Sequence, residues 1–168
     1  MAVPPGGRMT AALLDYAQIR RSSYMFIFQH ALSEAIVPHN DWAFIRGLWS
    51  EWSPGLSADE DIANFVAAVE PEGHLAAALG YYRAAFQPEL QLPALADWQA
   101  ASGQMPTQPM LYLHGRNDGC IGLEVADGVE SEMSPGSEMV VFDDLGHFMQ
   151  LEDPELVNRT IIDFLRSA

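Results

Sequence analysis

The sequence is short of cysteine, of basic residues and of long apolar runs. Its 168 residues contain one cysteine, Cys120, which excludes an internal disulfide and a zinc site built from cysteines. No apolar run is long enough to span a bilayer, and residues 1–10 lack the apolar centre of a secretory signal. We therefore expect a cytoplasmic protein that does not enter a membrane.

The scarcity of Lys and Arg makes the chain strongly acidic. Eight Lys and Arg stand against 23 Asp and Glu, so the formal net charge is −15 and the pI is near 4.4. Phosphate groups are bound by clustered cations, so this charge argues against a nucleic-acid partner and against an anionic membrane surface. Apolar residues, in contrast, are plentiful and make up 49% of the sequence. This share is typical of a globular chain with a core.

Residues 10–86 have a helical pattern. The stretch 10–32 is rich in apolar residues, contains neither glycine nor proline, and predicts helix. A second helix is expected to begin at Asn40 or Asp41, which are good N-cap residues, and to end before Pro54.

Two more helices are predicted in this half of the chain. Ser57 and Glu60 have the spacing of a capping box, in which the hydroxyl and the carboxylate bind free N–H groups of the first turn. The next helix is expected to carry Pro71 at its first position and to run to Pro88. Residues 87–108 contain three prolines and are interpreted as a connecting segment.

The last third of the chain predicts a strand–helix–strand–helix order. Residues 109–115 and 138–144 are short apolar runs of the kind found in buried strands. Residues 122–133 between them predict an acidic amphipathic helix. The final helix is expected to have Asp153 as its N-cap and Pro154 at its first position.

One acidic and one basic side chain follow the two predicted strands. Asp118 lies after the first strand and His147 lies 29 residues later, after the second. One crossover makes the two strands parallel, so both loops leave the carboxyl edge of the sheet, where open α/β sheets bind ligands. A carboxylate beside an imidazole fixes the tautomer of the ring and lets it act as a general base.

Two alternatives stay open on the residues alone. Asn117, Asp118 and Gly119 also have the chemistry of a simple turn. Asp143 and Asp144 lie close to His147 in sequence and compete with Asp118 for the role of acid. The remaining candidates for site chemistry show no metal-ligand spacing or separate base and are expected to be structural: Cys120, His30, His39, His74 and His114.

The motifs "PMLYLHGRNDGCIG" and "VVFDDLGHFMQLEDPELVNRTIIDFL" resemble the C-terminal part of α/β-hydrolase-fold proteins, in the epoxide hydrolase and haloalkane dehalogenase branch. The resemblance extends from about Val3 to Leu165. It implies that Asp118 is the acid and His147 the base of a catalytic triad.

The motifs "SYMFIFQHALSEA" and "ALGYYRAAF" resemble the helical cap that this branch inserts between core strands six and seven. The resemblance implies that Tyr24, before the Phe-Gln pair at 28–29, and Tyr82, before Arg83, hold and protonate the epoxide oxygen. Tyr81 is the neighbouring alternative. A phenol with an ordinary pKa of about 10 can donate to a developing alkoxide. The other interpretation is that the cap aromatics only pack against one another.

The nucleophile of such a hydrolase lies on a strand-to-helix elbow, and no small-x-nucleophile-x-small motif occurs here at a strand-to-helix junction. The expected fold is therefore α/β, the C-terminal part of an α/β-hydrolase without its N-terminal core strands. We expect residues 1–9 to follow a missing core strand and 10–86 to form the cap. Residues 87–108 would connect it to a strand–helix–strand–helix unit with two parallel strands at 109–168.

The resemblance implies an epoxide-hydrolase-like enzyme that adds water to a small hydrophobic substrate through an ester intermediate, with no metal or organic cofactor. The chain alone is expected to be inactive, and its free sheet edge favours self-association or a partner chain that supplies the N-terminal half. Two alternatives remain. One is a truncated, non-catalytic cap or binding fragment. The other is the C-terminal part of a Ser ester hydrolase, which shares Asp118 and His147 but has no use for the two tyrosines.

Overall fold

The structure, a computed structural model, describes residues 7–167. Residues 1–6 of the segment expected to follow a core strand lie outside this range. The helices are α1 (Arg8–Ala12), α2 (Tyr16–Arg21), α3 (Ser23–Gln29), α4 (Ser33–Ile36), α5 (His39–Trp52), α6 (Asp59–Val69), α7 (His74–Phe86), α8 (Ala96–Ser102), α9 (Met149–Glu152) and α10 (Pro154–Ser167). The strands are β1 (Leu111–Gly115) and β2 (Glu138–Phe142). No helix in the described range has the length and apolar content to cross a membrane.

The predicted helical stretch 10–32 is divided into α1, α2 and α3. Asp15 interrupts it, because its carboxylate accepts a hydrogen bond from the N–H of Ala17 and caps α2. Ser22 then separates α2 from α3. Short polar side chains compete with the helix for backbone hydrogen bonds, so the apolar pattern continues although the helix does not.

Helix α5 does not begin with the predicted N-cap. Asn40, Asp41 and Trp42 have φ angles of 52°, 54° and 58°, so they form a left-handed turn, and the right-handed helix follows Trp42. Asn and Asp are the residues other than glycine that enter this region most readily. Their prediction as ordinary caps was wrong, although their position at the start of the helix was right.

Helices α6 and α7 also start differently from the prediction. Ala58, not Ser57, occupies the N-cap of α6, and no side-chain cap bond is made. Three carboxylates in its first turn favour this helix end electrostatically. Helix α7 begins after Gly73, whose φ is 82°, rather than at Pro71. The start of α10 is as predicted, since Asp153 accepts from the N–H of Leu156.

The two strands pair in parallel, which confirms the predicted crossover. Leu111 lies opposite Glu138, and Gly115 lies opposite Phe142. The connection is not the predicted helix over 122–133. It consists of two 3-10 turns, at Leu123–Ala126 and Val129–Ser131, separated by Gly128 with a φ of 73°. The Asp-Gly pair at 127–128 is turn chemistry that overrides the amphipathic pattern.

The buried apolar residues form two clusters. One lies beneath the sheet and α10, around Tyr112, Val129 and Phe142. The other fills the helical first half, where α3 packs on α7. Cys120 and Ile121, from the loop after β1, belong to this second cluster. The loop that carries the predicted acid is therefore built into the core of the helical region.

Candidate active site

Two loops meet at the carboxyl edge of the sheet. We call residues 116–122 the acid loop and residues 143–148 the base loop. The N–H of Asn117 donates to the carbonyl of Leu145 across them. A Cβ added to Gly115 would overlap the carbonyl oxygen of Gly146. The backbones approach so closely that only glycine fits at position 115.

Asp118 and His147 form a buried hydrogen-bonded pair. Oδ2 of Asp118 accepts from Nδ1 of His147 at 2.9 Å, and the two residues are 4% and 2% exposed. Oδ1 accepts from the N–H groups of Cys120 and Ile121, both at 2.8 Å. With the proton on Nδ1, the lone pair of His147 lies on Nε2, which makes no hydrogen bond within residues 7–167.

The competing carboxylates lie elsewhere. Asp143 is exposed and pairs with Arg116 at 2.7 Å on the surface, and Asp144 is exposed as well. Only Asp118 contacts the imidazole among the three candidates. Asp118 and His147 are thus in contact, as their spacing predicts, and their catalytic roles stay a prediction.

The end of α5 binds both loops through one carbonyl. The carbonyl of Trp52 accepts from the N–H of Gly119 at 3.2 Å and from the N–H of His147 at 2.9 Å. An added Cβ at Gly119 would overlap the carbonyl oxygen of Glu51, and one at Gly146 would lie 2.7 Å from that of Trp52. Each loop has a glycine where the backbone at the end of α5 contacts it.

Ser53 and Glu152 hold the base loop. The Ser53 hydroxyl donates to Oε1 of Glu152 and accepts from the N–H of Phe148, both at 2.8 Å. Both oxygens of Glu152 accept from the N–H of Gly146. Sequence reasoning missed these two residues. Glu152 is part of the motif that follows His147, whereas no local pattern singles out Ser53.

The predicted tyrosines are neighbours in the second cluster, which fills the helical first half of the chain. The centroids of the Tyr24 and Tyr82 rings lie 5.7 Å apart at 82°. Tyr24 is buried, with its hydroxyl 3.6 Å from Sγ of Cys120, while Tyr81 is 78% exposed. The Trp52 ring lies between Tyr24, at 4.9 Å, and His147, at 5.3 Å.

Burial controls the protonation of these groups. Desolvation raises the pKa of Tyr24, and the nearby Cys120 adds to the effect. Desolvation also raises the pKa of Tyr82, and it raises the pKa of the Cys120 thiol to about 12. The phenols and the thiol are therefore neutral at pH 7. A neutral phenol keeps a proton that it can donate.

An apolar cavity of about 120 Å³ lies among helices α3 to α7. Its walls are aliphatic and aromatic side chains from the helical half of the chain: Phe28, Val37, Ile45, Leu48, Trp49, Trp52, Phe65, Leu75, Ala78, Leu79 and Tyr82. Because Trp52 also contacts the His147 ring, the cavity borders on the acid–base pair. No cluster of three His, Cys, Asp or Glu able to hold a metal occurs in the described part of the chain.

His114 braces the acid loop from the sheet. It is fully buried on β1, with Nδ1 2.7 Å from the hydroxyl of Tyr112. Its Nε2 lies 3.1 Å from the carbonyl of Ile121 and donates to it, so Nδ1 accepts from the phenol. Burial lowers the pKa of His114, which keeps the ring neutral in this arrangement.

No family profile matches the sequence, but curated relatives and solved structures do. The chain is 26% identical over 157 residues to human epoxide hydrolase 4, covering 89% of this chain and 41% of the relative. It is 26% identical to the AB hydrolase superfamily protein YfhM of Bacillus subtilis, covering 88% and 49%. The chain thus spans about half the length of the curated relatives it matches.

Among solved structures, a putative epoxide hydrolase from Klebsiella pneumoniae superposes with a TM-score of 0.73 at 21% identity, over 90% of this chain and 51% of the other. An epoxide hydrolase from Bacillus megaterium gives 0.69 at 22% identity, over 97% and 58%. The architecture is that of an α/β-hydrolase, consistent with the C-terminal part of that fold. In sequence this chain is similar to epoxide hydrolase-like members of the α/β-hydrolase superfamily, and in fold it is similar to solved epoxide hydrolases.

Proposed function

We propose that this chain carries the acid–base pair and the cap of an epoxide-hydrolase-like enzyme, which adds water to a small hydrophobic epoxide through an ester intermediate. The observation that supports this most is the buried 2.9 Å contact between Asp118 and His147, next to two neutral phenols. A carboxylate held by two N–H groups favours the protonated imidazole that a general base becomes.

In the proposed first step, an Asp nucleophile attacks an epoxide carbon. The carbon–oxygen bond of the ring breaks as the ester bond forms, and Tyr24 and Tyr82 hold the oxygen and protonate it. In the second step, Nε2 of His147 takes a proton from water, which attacks the ester carbonyl. Asp118 stabilises the imidazolium, which returns its proton to the departing alkoxide oxygen as the tetrahedral intermediate collapses and the diol is released. The remaining proton of the attacking water leaves the regenerated carboxyl group and restores the phenol, so that the carboxylate, His147 and the tyrosines return to their starting states.

The nucleophile is proposed to come from polypeptide outside this sequence, because no elbow motif lies within it. That half of the enzyme would be an N-terminal segment of the same protein or a partner chain, with self-association as the competing arrangement. Residues 10–86 would be the cap, 87–108 the connector and 109–168 the end of the core. Large apolar side chains that are mostly exposed support a missing neighbour: Leu92, Trp98 and Leu165.

The cavity indicates the class of substrate. Its volume of about 120 Å³ lies somewhat below that of an apolar cavity of roughly 150 Å³ that binds benzene. Tyr82 contributes the one hydroxyl of its lining. A compact aliphatic or single-ring epoxide, with its oxygen toward the phenols, fits these walls.

The test is reconstitution. The chain is co-expressed with a nucleophile-bearing N-terminal half, from the reading frame upstream of Met1 or from a related epoxide hydrolase, and hydrolysis of styrene oxide is measured. His147→Ala should lower turnover by about 10³-fold or more while the ester intermediate accumulates, visible as a mass increase of the N-terminal half. The exposed His39→Ala is the matched control and should keep turnover.

Full turnover in His147→Ala would overturn the role of His147. Loss of turnover without an ester adduct would argue against the two-step mechanism. If the co-expressed half requires Ser rather than Asp at the elbow and hydrolyses carboxylic esters, the ester hydrolase alternative holds.

A second candidate function, ligand binding without turnover, is favoured by one observation. Every residue that lines the cavity lies between positions 28 and 82, so the cavity does not need the missing nucleophile. Calorimetric binding of a single-ring hydrocarbon by this chain alone, with no turnover after reconstitution, would support the binding module over the enzyme.

A further inference from the structure

The acid loop is buried but has no secondary structure between Gly119 and Gly122. Buried N–H and C=O groups need partners, and here they cannot find them in a helix or a sheet. Trp52 accepts from the N–H of Gly119, and Asp118 accepts from those of Cys120 and Ile121. The next groups along this backbone depend on side chains from other parts of the fold.

Gln18 supplies most of those remaining partners. It lies on α2, is 1% exposed, and is more than 100 residues away in sequence from Cys120 and Gly122, the two loop residues that it binds. Its Nε2 donates to the carbonyl of Cys120 at 2.8 Å and to the hydroxyl of Ser22 at 2.9 Å. Its Oε1 accepts from the N–H of Gly122 at 3.0 Å.

These bonds act on the peptide groups that hold the Asp118 carboxylate. The carbonyl of Cys120 and the N–H of Ile121 belong to one peptide plane. Gln18 binds the carbonyl side of that plane, and Oδ1 of Asp118 binds the N–H side. The carboxylate thus accepts from a peptide group whose orientation is set by Gln18.

We propose that Gln18 is a positioning residue for Asp118: by clamping Cys120 and Gly122, it keeps the carboxylate oriented toward His147. Gln18 itself does not touch the reacting atoms. His114 on β1 binds the carbonyl of Ile121. Residues 120–122 are therefore held between α2 on one side and β1 on the other. The catalytic meaning of this clamp rests on the proposed function, whereas the clamp itself is a property of this chain.

The test uses Gln18→Met, which conserves length and helix propensity but removes the three hydrogen bonds. The matched control is Gln29→Met, since Gln29 also makes three hydrogen bonds, to Met25, Tyr82 and Gln87. None of these reaches the acid loop. Both variants of the full chain are compared with the parent under native conditions.

The first readout is the labelling rate of Cys120, the single cysteine of the sequence, by a maleimide. Loss of the clamp should open the loop locally and raise this rate about tenfold or more in Gln18→Met, because buried groups left without partners favour opening. In Gln29→Met the rate should stay within about threefold of the parent, a change expected from general loosening alone.

The second readout is the Nδ1–H proton of His147 in ¹⁵N-histidine-labelled chain. In the parent and in Gln29→Met, its hydrogen bond to Asp118 should give a slowly exchanging imidazole resonance. In Gln18→Met this resonance should broaden or disappear while backbone spectra of the cap and α10 persist. If Gln18→Met does not fold, Gln18→Asn, which keeps a neutral amide but moves it one methylene farther from Cys120 and Gly122, should give the same changes.

Unchanged labelling and an unchanged resonance in the Gln18 variant would overturn the proposal. Equal acceleration in the Gln18 and Gln29 variants would also overturn it, because the effect would then be general. Failure of the proposed function would be distinguishable from failure of this proposal. In that case the reconstituted enzyme would keep turnover in His147→Ala, whereas the labelling rate of Cys120 and the His147 resonance would still change on substitution of Gln18.

Discussion

The acid loop and the base loop each carry one residue of the Asp118–His147 pair, but different side chains hold the two loops in place. The acid loop is held by side chains from α2 and β1, namely Gln18 and His114, and by its own Asp118. The backbone of the base loop is bound by side chains from one pair, Ser53 after α5 and Glu152 on α9. Support spread over several elements tolerates the loss of one bond, whereas support through a single carboxylate does not.

The largest loss of stability is expected where α5 contacts the two loops. In Gly119→Ala the new Cβ would overlap the Glu51 carbonyl, so the free energy of unfolding should fall by about 3 kcal/mol or more. In Gly146→Ala the new Cβ would lie 2.7 Å from the nearest backbone oxygen, so the free energy of unfolding should fall by a smaller amount. Urea unfolding followed by tryptophan fluorescence measures both.

Gly47→Ala is the control, because nothing lies within 4 Å of an added Cβ at this position in α5. It should raise stability by up to about 1 kcal/mol, since alanine is a better helix former. If Gly146→Ala lowers the free energy of unfolding more than Gly119→Ala does, the contact at Gly119 is not the tighter of the two.

A smaller loss is expected when the base loop alone is released. Glu152→Ala leaves the N–H of Gly146 and the hydroxyl of Ser53 without their carboxylate partner. The expected cost is about 1–3 kcal/mol, with faster amide exchange at Gly146 and Phe148 but not at Cys120. Asp163→Ala, on the exposed face of α10, is the matched control and should change stability by less than about 0.5 kcal/mol.

The smallest expected effect is a pH dependence of the stability of the chain that arises from His114, which binds the acid loop. Burial lowers the pKa of His114 below its ordinary value of 6.5. The unfolded chain therefore binds a proton more readily, and stability should fall as the pH drops below 6.5, by at most about 1.4 kcal/mol per pH unit. Above that value His114 should contribute no slope.

In His114→Gln the His114 share of this slope between pH 6.5 and 5 should disappear, whereas in the exposed His39→Ala it should persist. Denaturation midpoints across this range provide the measurement. A slope equal in parent and His114→Gln would mean that His114 takes up its proton equally easily in the folded chain.

The contact between Asp118 and His147 could be predicted although the predicted helix between the two strands was wrong. Asp118 and His147 need only two parallel strands and a chain that returns to the same edge, and two 3-10 turns achieve this as well as a helix does. Helix boundaries were less predictable. Asp15 and Gly128 act through local backbone conformations that an apolar pattern does not encode.

Supporting residues could not be found from the sequence because they bind backbone groups rather than recognisable partners. Gln18 reaches carbonyl and N–H groups more than 100 positions away, and any residue offers such groups. Ser53 likewise binds the N–H of Phe148. Spacing rules detect side chains that must meet each other, and they do not detect a side chain that stabilises a stretch of irregular backbone.

The carbonyl of Trp52 has a consequence for motion. Since it accepts from both Gly119 and His147, a displacement of the end of α5 moves the two loops in the same direction. A small shift of this helix end can therefore leave the separation between Asp118 and His147 constant. A single peptide oxygen shared by both loops makes the spacing of the pair insensitive to small movements of α5.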